Sequence, residues 1–237
     1  MAGSLNELAT TIHTLLLGYY GYPTWRDPLP PVDELVCTIL SQNTNDDNRD
    51  RAFKALKDRF DDWNEVCLAK TTDVIDAIKP AGLANQKGPR IQQVLNAIIA
   101  ERGSLDLSFL KEQPVEESRK WLLKFKGVGP KTAAIVLLFS LGVPAFPVDT
   151  HIYRVTGRVG LRPDGMNVEE AHHYLEDLFP PESYYAAHLN IIRLGREICT
   201  ARKVHCTICP LRDVCLYYEN HKSQTEPEKN IDDKITL

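Results

Sequence analysis

Four cysteines crowd into one short segment, spaced Cys199-x6-Cys206-x2-Cys209-x5-Cys215. Thiolates at that density can surround one small inorganic centre, and soft sulfur ligands suit either zinc or an iron–sulfur cluster. Zinc sites more often use two close Cys-x2-Cys pairs across a longer loop, so the spacing departs from that pattern without excluding the metal. Cations gather nearby, at Arg193, Arg196, Arg202, Lys203 and Arg212, and would offset the charge of four thiolates. The TARKVH loop also offers Arg202 and Lys203 to a phosphate. The other two cysteines, Cys37 in DELVCTIL and Cys67 in NEVCLA, read as buried thiols in helices.

A second set of residues could do chemistry on carbon. Residues 117–142 read ESRKWLLKFKGVGPKTAAIVLLFSLG, an apolar helix, then Gly127-Val128-Gly129, then Pro130 and a second apolar helix. Gly127 and Gly129 are expected at positive φ in a tight turn, with Pro130 in the first turn of the next helix. Free N–H groups at that helix start would hold a phosphate without reading sequence. Lys131 opens the second helix. Asp149 comes later, in PVDTHIYRVTGR, placed to cap a helix over 150–160. Taken alone, these two are a solvated lysine and a helix cap.

The elements that must position them are helical. Apolar residues recur at helical spacing in 5–20, 31–42, 46–60, 73–79, 88–101, 115–125 and 130–142, and again in 149–160, 167–178 and 183–198. Period-two alternation is almost absent, so the fold class is all-α. The 237 residues suit one large or two small domains, and 43% hydrophobic with 25% charged residues is ordinary for a soluble globular protein. The N-terminus has neither a basic leader nor a long apolar run, and no stretch reaches membrane-spanning length; an intracellular chain is expected. Net charge is −4, but it is segregated: Arg119–Arg162 holds eight Lys or Arg and one acid, while Glu219–Leu237 holds five acids and three lysines. Residues 217–237 read as an unstructured tail.

The run LLKFKGVGPKTAAIVLLFSLGVPAFPVDTHIYRVTGRVGL resembles the helix-hairpin-helix and Gly/Pro…Asp core of endonuclease III-type DNA glycosylases. The cysteine spacing is similar to that family's 4Fe–4S loop, LVCTILSQNTND to its early helix and DNA-inserting loop, and AGLANQKG to a second such loop. The resemblance spans residues 30–216. It implies two helical domains flanking a DNA-binding cleft: a six-helix domain over 25–143 holding the hairpin, and an iron–sulfur domain of 1–24 with 144–216.

That resemblance also implies roles. The target nucleotide is flipped out of damaged double-stranded DNA. Lys131 attacks its sugar, a step that needs the uncharged amine, favoured by burial, a helix N-terminus and neighbouring cations. Asp149 stabilises the positive charge developing on the sugar. Gln42 or Asn43 fills the vacated stack from one side and Leu83 from the other. Gly127, Val128, Gly129, Arg202 and Lys203 meet the backbone, and Cys199, Cys206, Cys209 and Cys215 hold the 4Fe–4S cluster. The implied activity is base excision, of oxidised pyrimidines above all, with nicking at the abasic site. The implied state is an intracellular monomer, cytoplasmic or at the nucleoid if the source is prokaryotic. Two rivals remain open: a mismatch thymine or uracil glycosylase of the same fold, which would generally lack the lysine, and a non-catalytic iron–sulfur DNA-binding redox sensor, which would need neither Lys131 nor Asp149.

Overall fold

The computed structural model describes residues 4–24 and 27–221, and all of their regular structure is helical. One isolated antiparallel bridge pairs Cys199 with Val204. The chain divides into two compact units: Trp25–Pro147, and Met1–Thr24 with Val148–Leu237. The first unit runs to Pro147 and not to residue 143, because Val143 and Ala145 are buried in its core. No helix among the described residues is long and apolar enough to cross a membrane.

The unit Trp25–Pro147 contains α2 (Pro31–Leu40), α3 (Asp46–Arg59), α4 (Trp63–Leu68), α5 (Thr71–Ala77), α6 (Ala84–Arg102), α7 (Val115–Leu123) and α8 (Pro130–Ile135). Helix α8 continues into a π-turn over Val136–Ser140. Its side chains Ala133, Ala134, Val136 and Leu137 are fully buried, as expected of a helix apolar on every face. Helix α2 packs on α8, and α5 packs on α6. Ahead of the hairpin, Trp121 stacks edge-on between Phe109 at 5.0 Å and Phe125 at 4.7 Å, and its Nε1 donates to Glu101 at 2.7 Å. The aromatic ladder ties α7 to the turn before it and to the hairpin after it, and the hydrogen bond to Glu101 ties it to α6.

The other unit contains α1 (Leu5–Tyr20), α9 (Thr150–Val159), α10 (Val168–Leu178), α11 (Tyr184–Glu197) and α12 (Leu216–Asn220). Helix α1 packs on α11 and α10, although they are far apart in sequence. Asn6 Nδ2 donates to the Asp177 carbonyl at 3.1 Å, and Asn190 Nδ2 to that of Gly21 at 3.1 Å. Capping boxes, Ser4 with Glu7 and Asn167 with Glu170, start α1 and α10.

Three boundaries differ from expectation. Helix α6 begins at Ala84 and not near 88, because the Leu83 carbonyl accepts from Gln86 at 2.9 Å and Lys87 at 3.0 Å, leaving Pro89 inside the helix. Helix α4 was not announced by periodicity; six residues are too few to show one. Residues 217–221 are not tail: α12 runs to Asn220 and buries Tyr218. Residues 222–237 of the expected tail lie outside the described residues.

At Gly88, α6 lies close against α5. A Cβ there would stand 2.8 Å from Ile75 Cγ1. Gly88→Ala gains about 1 kcal/mol of helix propensity and meets an overpacking cost of roughly 1–3 kcal/mol. Thermal unfolding is expected to show a net loss, and a variant more stable than the parent would refute the contact.

Candidate active site

Within the unit Trp25–Pro147, the hairpin turns on Gly127 alone. Its φ is 97°, whereas Gly129 is extended at φ −96°, ψ 178°, so the expectation of two positive-φ glycines is corrected to one. Gly127 also has no room for a side chain: a Cβ would lie 2.3 Å from Arg90 Cδ. Val128 is buried and its N–H donates to the Phe125 carbonyl at 3.0 Å. Val128 therefore anchors the turn, and neither its side chain nor its N–H is presented to a ligand. Helix α8 starts with no side-chain cap. Among the described residues, the N–H groups of Lys131 and Thr132 have no acceptor. That leaves the positive end of a buried helix open to an anion.

Lys131 itself is exposed in the first turn of α8, beside those open amides. The basic stretch resolves into three classes. Arg119, Arg154, Arg158 and Arg162 turn inward, with Arg119 and Arg162 at 2% and 8% exposure. Lys120 and Lys124 pair with Glu117 and Glu101. Lys126 and Lys131 flank the hairpin, exposed and without an ion pair among the described residues.

Two turns adjoin the hairpin's helices. Asn43 and Leu83 are the described non-glycine residues at positive φ, 52° and 50°, and both side chains are exposed. Ser41, not Asn43, ends α2, and Leu83 is not a core residue. Gln42 is engaged elsewhere: its Nε2 donates to the Gly127 carbonyl at 3.5 Å and its Oε1 accepts from Arg90 Nη1 at 3.1 Å. Of the pair Gln42 and Asn43, the structure leaves Asn43 free to project. Arg90 was not foreseen; its only sequence signal is its place one turn after Lys87 on α6.

In the other unit, Asp149 caps α9. Its Oδ1 accepts from the Ile152 N–H at 2.8 Å, and Oδ2 has no hydrogen bond among the described residues. One oxygen holds the helix and the second is available to a substrate. Arg154 Nη2 lies 3.1 Å from His151 Nδ1, a contact in which the guanidinium can only donate and which therefore suits the neutral ring. Burial pushes His151 below the usual histidine range; Asp149 opposes this, and Arg154 and Arg196 add to it.

The four clustered cysteines line one cavity together with Arg158, Leu211 and Tyr217. Among the described residues no group of three or more His, Cys, Asp or Glu side chains is placed to hold a metal ion; the four thiols share the lining of one cavity. Burial pushes the thiols of Cys206 and Cys215 up, and that of Cys209 to about 12, with neighbouring cysteines adding to it. A bound cation is what would hold them as thiolates. The compensating charge comes from α9. Arg158 Nη1 lies 3.2 Å from Cys199 Sγ and donates to the Thr200 carbonyl at 2.7 Å, while Arg154 Nε donates to the Cys199 carbonyl at 3.1 Å. Arg193 and Arg212, expected in that role, pair with Glu197 and Asp213. Arg202 and Lys203 are exposed at the tip of the loop.

The whole arrangement fits one family. Residues 36–181 match the HhH-GPD superfamily of base excision DNA repair proteins. Endonuclease III of Thermotoga maritima is 32% identical over 197 residues, covering 83% of this chain and 88% of that one. The chain belongs to the HhH-GPD superfamily. Within that superfamily it is an endonuclease III-type base excision repair glycosylase. An Arabidopsis thaliana protein described as a DNA glycosylase is 40% identical over 151 residues, 64% of this chain; the match spans only 52% of that longer relative. A solved non-covalent endonuclease III–DNA complex shares the fold, with TM-score 0.79 and 24% identity over 94% of this chain and all of that one.

Two measurements check this HhH-GPD site. Asp149→Asn retains the cap, whereas Asp149→Ala is expected to cost about 1 kcal/mol in thermal unfolding; equal stabilities would deny the cap its role. His151 binds its proton less readily folded than unfolded, so its contribution to stability is full above the ordinary value of 6.5 and is lost as pH falls below it. Unfolding measured from about pH 7.5 to about 5.5 should show that decline, and His151→Gln should flatten it.

Proposed function

We propose that this protein is a bifunctional DNA glycosylase and abasic-site lyase acting on oxidised pyrimidines in double-stranded DNA. The carrying observation is Lys131: an exposed, unpaired amine in the first turn of α8, beside N–H groups that no side chain caps. Those amides and Lys126 take phosphates of the damaged strand. Asn43 and Leu83 fill the stack that the flipped nucleotide leaves.

The Lys131 Nζ lone pair forms a bond to C1′ as the glycosidic bond breaks, and the base departs with that electron pair. The free oxygen of Asp149 stabilises the cationic sugar and takes a proton from the attacking nitrogen. Ring opening gives an iminium between Lys131 and C1′. The iminium acidifies C2′; loss of that proton expels the 3′ phosphate, and water then releases the lysine. No external oxidant or reductant is consumed.

Cys199, Cys206, Cys209 and Cys215 would hold a 4Fe–4S cluster, which supplies a rigid, compact centre for its loop. The all-thiol donor set and the shared cavity support this assignment. Arg202 and Lys203 on that loop contact phosphates. The protein works as a monomer inside the cell, where its DNA is.

The test is a panel of duplexes carrying thymine glycol, 5-hydroxycytosine, uracil or a G·T mispair, with borohydride trapping. Excision of the oxidised pyrimidines with a trapped covalent complex is expected. Lys131→Ala should abolish trapping, and Asp149→Asn should lower excision by about 100-fold or more. Cys209→Ala should lower iron and sulfide per chain. Full nicking by the Lys131 variant would sink the lyase mechanism. Excision confined to uracil and G·T would replace the substrate.

A further inference from the structure

Lys87 lies in the second turn of α6 and is 1% exposed. A buried ammonium is costly unless it is paired, and a methionine would fill the same space at no such cost. Its Nζ donates to the Leu40 carbonyl at 2.7 Å and to the Ala81 carbonyl at 2.8 Å. Leu40 is the last residue of α2, and Ala81 is the last of the 3-10 turn Lys79–Ala81. Each carbonyl stands at a helix C-terminus, where a cation is favoured. Burial alone lowers the proton affinity of the amine, and the two carbonyls are its hydrogen-bond partners among the described residues.

The lysine matters for the turns that its two carbonyl partners lead into. Past Leu40 the chain reaches Asn43, and past Ala81 it reaches Leu83, the two left-handed non-glycine residues with exposed side chains. One helical turn beyond Lys87, Arg90 holds Gln42 and lies against Gly127. The first turns of α6 thus grip both insertion turns and the hairpin.

We propose that Lys87 is a positioning residue for base extrusion: its ammonium pins the turns bearing Asn43 and Leu83 to one point and so sets the spacing at which they enter the duplex. The inference rests on the glycosylase reading above. Lys87 does not touch DNA, so its effect should appear only where insertion limits the rate.

Lys87→Met retains length and volume and removes the donors. Single-turnover excision is measured on one lesion in two contexts, a fully paired duplex and a duplex with an abasic position opposite the lesion, where the stack is already broken. The expected loss is at least about tenfold in the paired duplex and under about threefold in the broken one. A 2-aminopurine beside the lesion should brighten with the parent protein and stay quenched with the variant. In a Leu83→Ala background, Lys87→Met should add little, because both changes remove the same insertion step. Equal losses in both contexts, no loss, or fully multiplicative losses in the double variant would overturn the proposal. If Lys87→Met does not fold, Lys87→Arg, which keeps the charge and displaces the donors, is judged by the same two-duplex comparison. A parent protein inactive on both duplexes would instead overturn the glycosylase reading, and this proposal with it.

Discussion

Burial of α8 beyond its first residues is the constraint on which the unit Trp25–Pro147 depends. A helix with Ala133, Ala134, Val136 and Leu137 sealed in the core cannot rotate or slide without opening cavities. Its N-terminus is therefore a fixed point. The hairpin brings the chain to that point, Gly127 lets it turn beneath Arg90, and Val128 ties the turn back to Phe125. Lys131 inherits a defined position from a helix whose other residues have no chemistry to do. Apolar packing fixes the place of this helix end, and the amides it leaves without acceptors make that end electropositive.

The second unit reaches a comparable result by hydrogen bonding. Helix α9 starts on the Asp149 carboxylate and, one and two turns later, donates from Arg154 and Arg158 to the segment Cys199–Ala201. One helix thus carries the acidic group at its head and secures the cysteine loop along its side. Arginine suits this work because its planar donors satisfy several carbonyls at once.

The sequence showed the chemical residues more clearly than the geometry between them. The cysteine spacing stands out by its density; Lys131 and Asp149 stand out only through the hairpin before them and the cluster after them, and the cap at Asp149 is expected of a short carboxylate before a helix. The all-helical class is legible in the periodicity. Arg90, Arg154, Arg158 and Lys87 were not legible, because a basic residue looks the same in sequence whether it faces solvent or a carbonyl. Counting cations marked a basic stretch; half of the counted set is internal scaffolding. The left-handed turns were hidden for a related reason, since asparagine tolerates that conformation and leucine gives no sign of it.

Asn43 and Leu83 hold their left-handed backbones without glycine, and Lys131 stands uncovered in the same unit. An exposed amine is open to small aldehydes and other electrophiles as well as to a sugar carbon. Under the proposed lyase mechanism its shield would be the DNA: phosphates bound at the same helix end would crowd the amine, and the polymer it surveys would guard it.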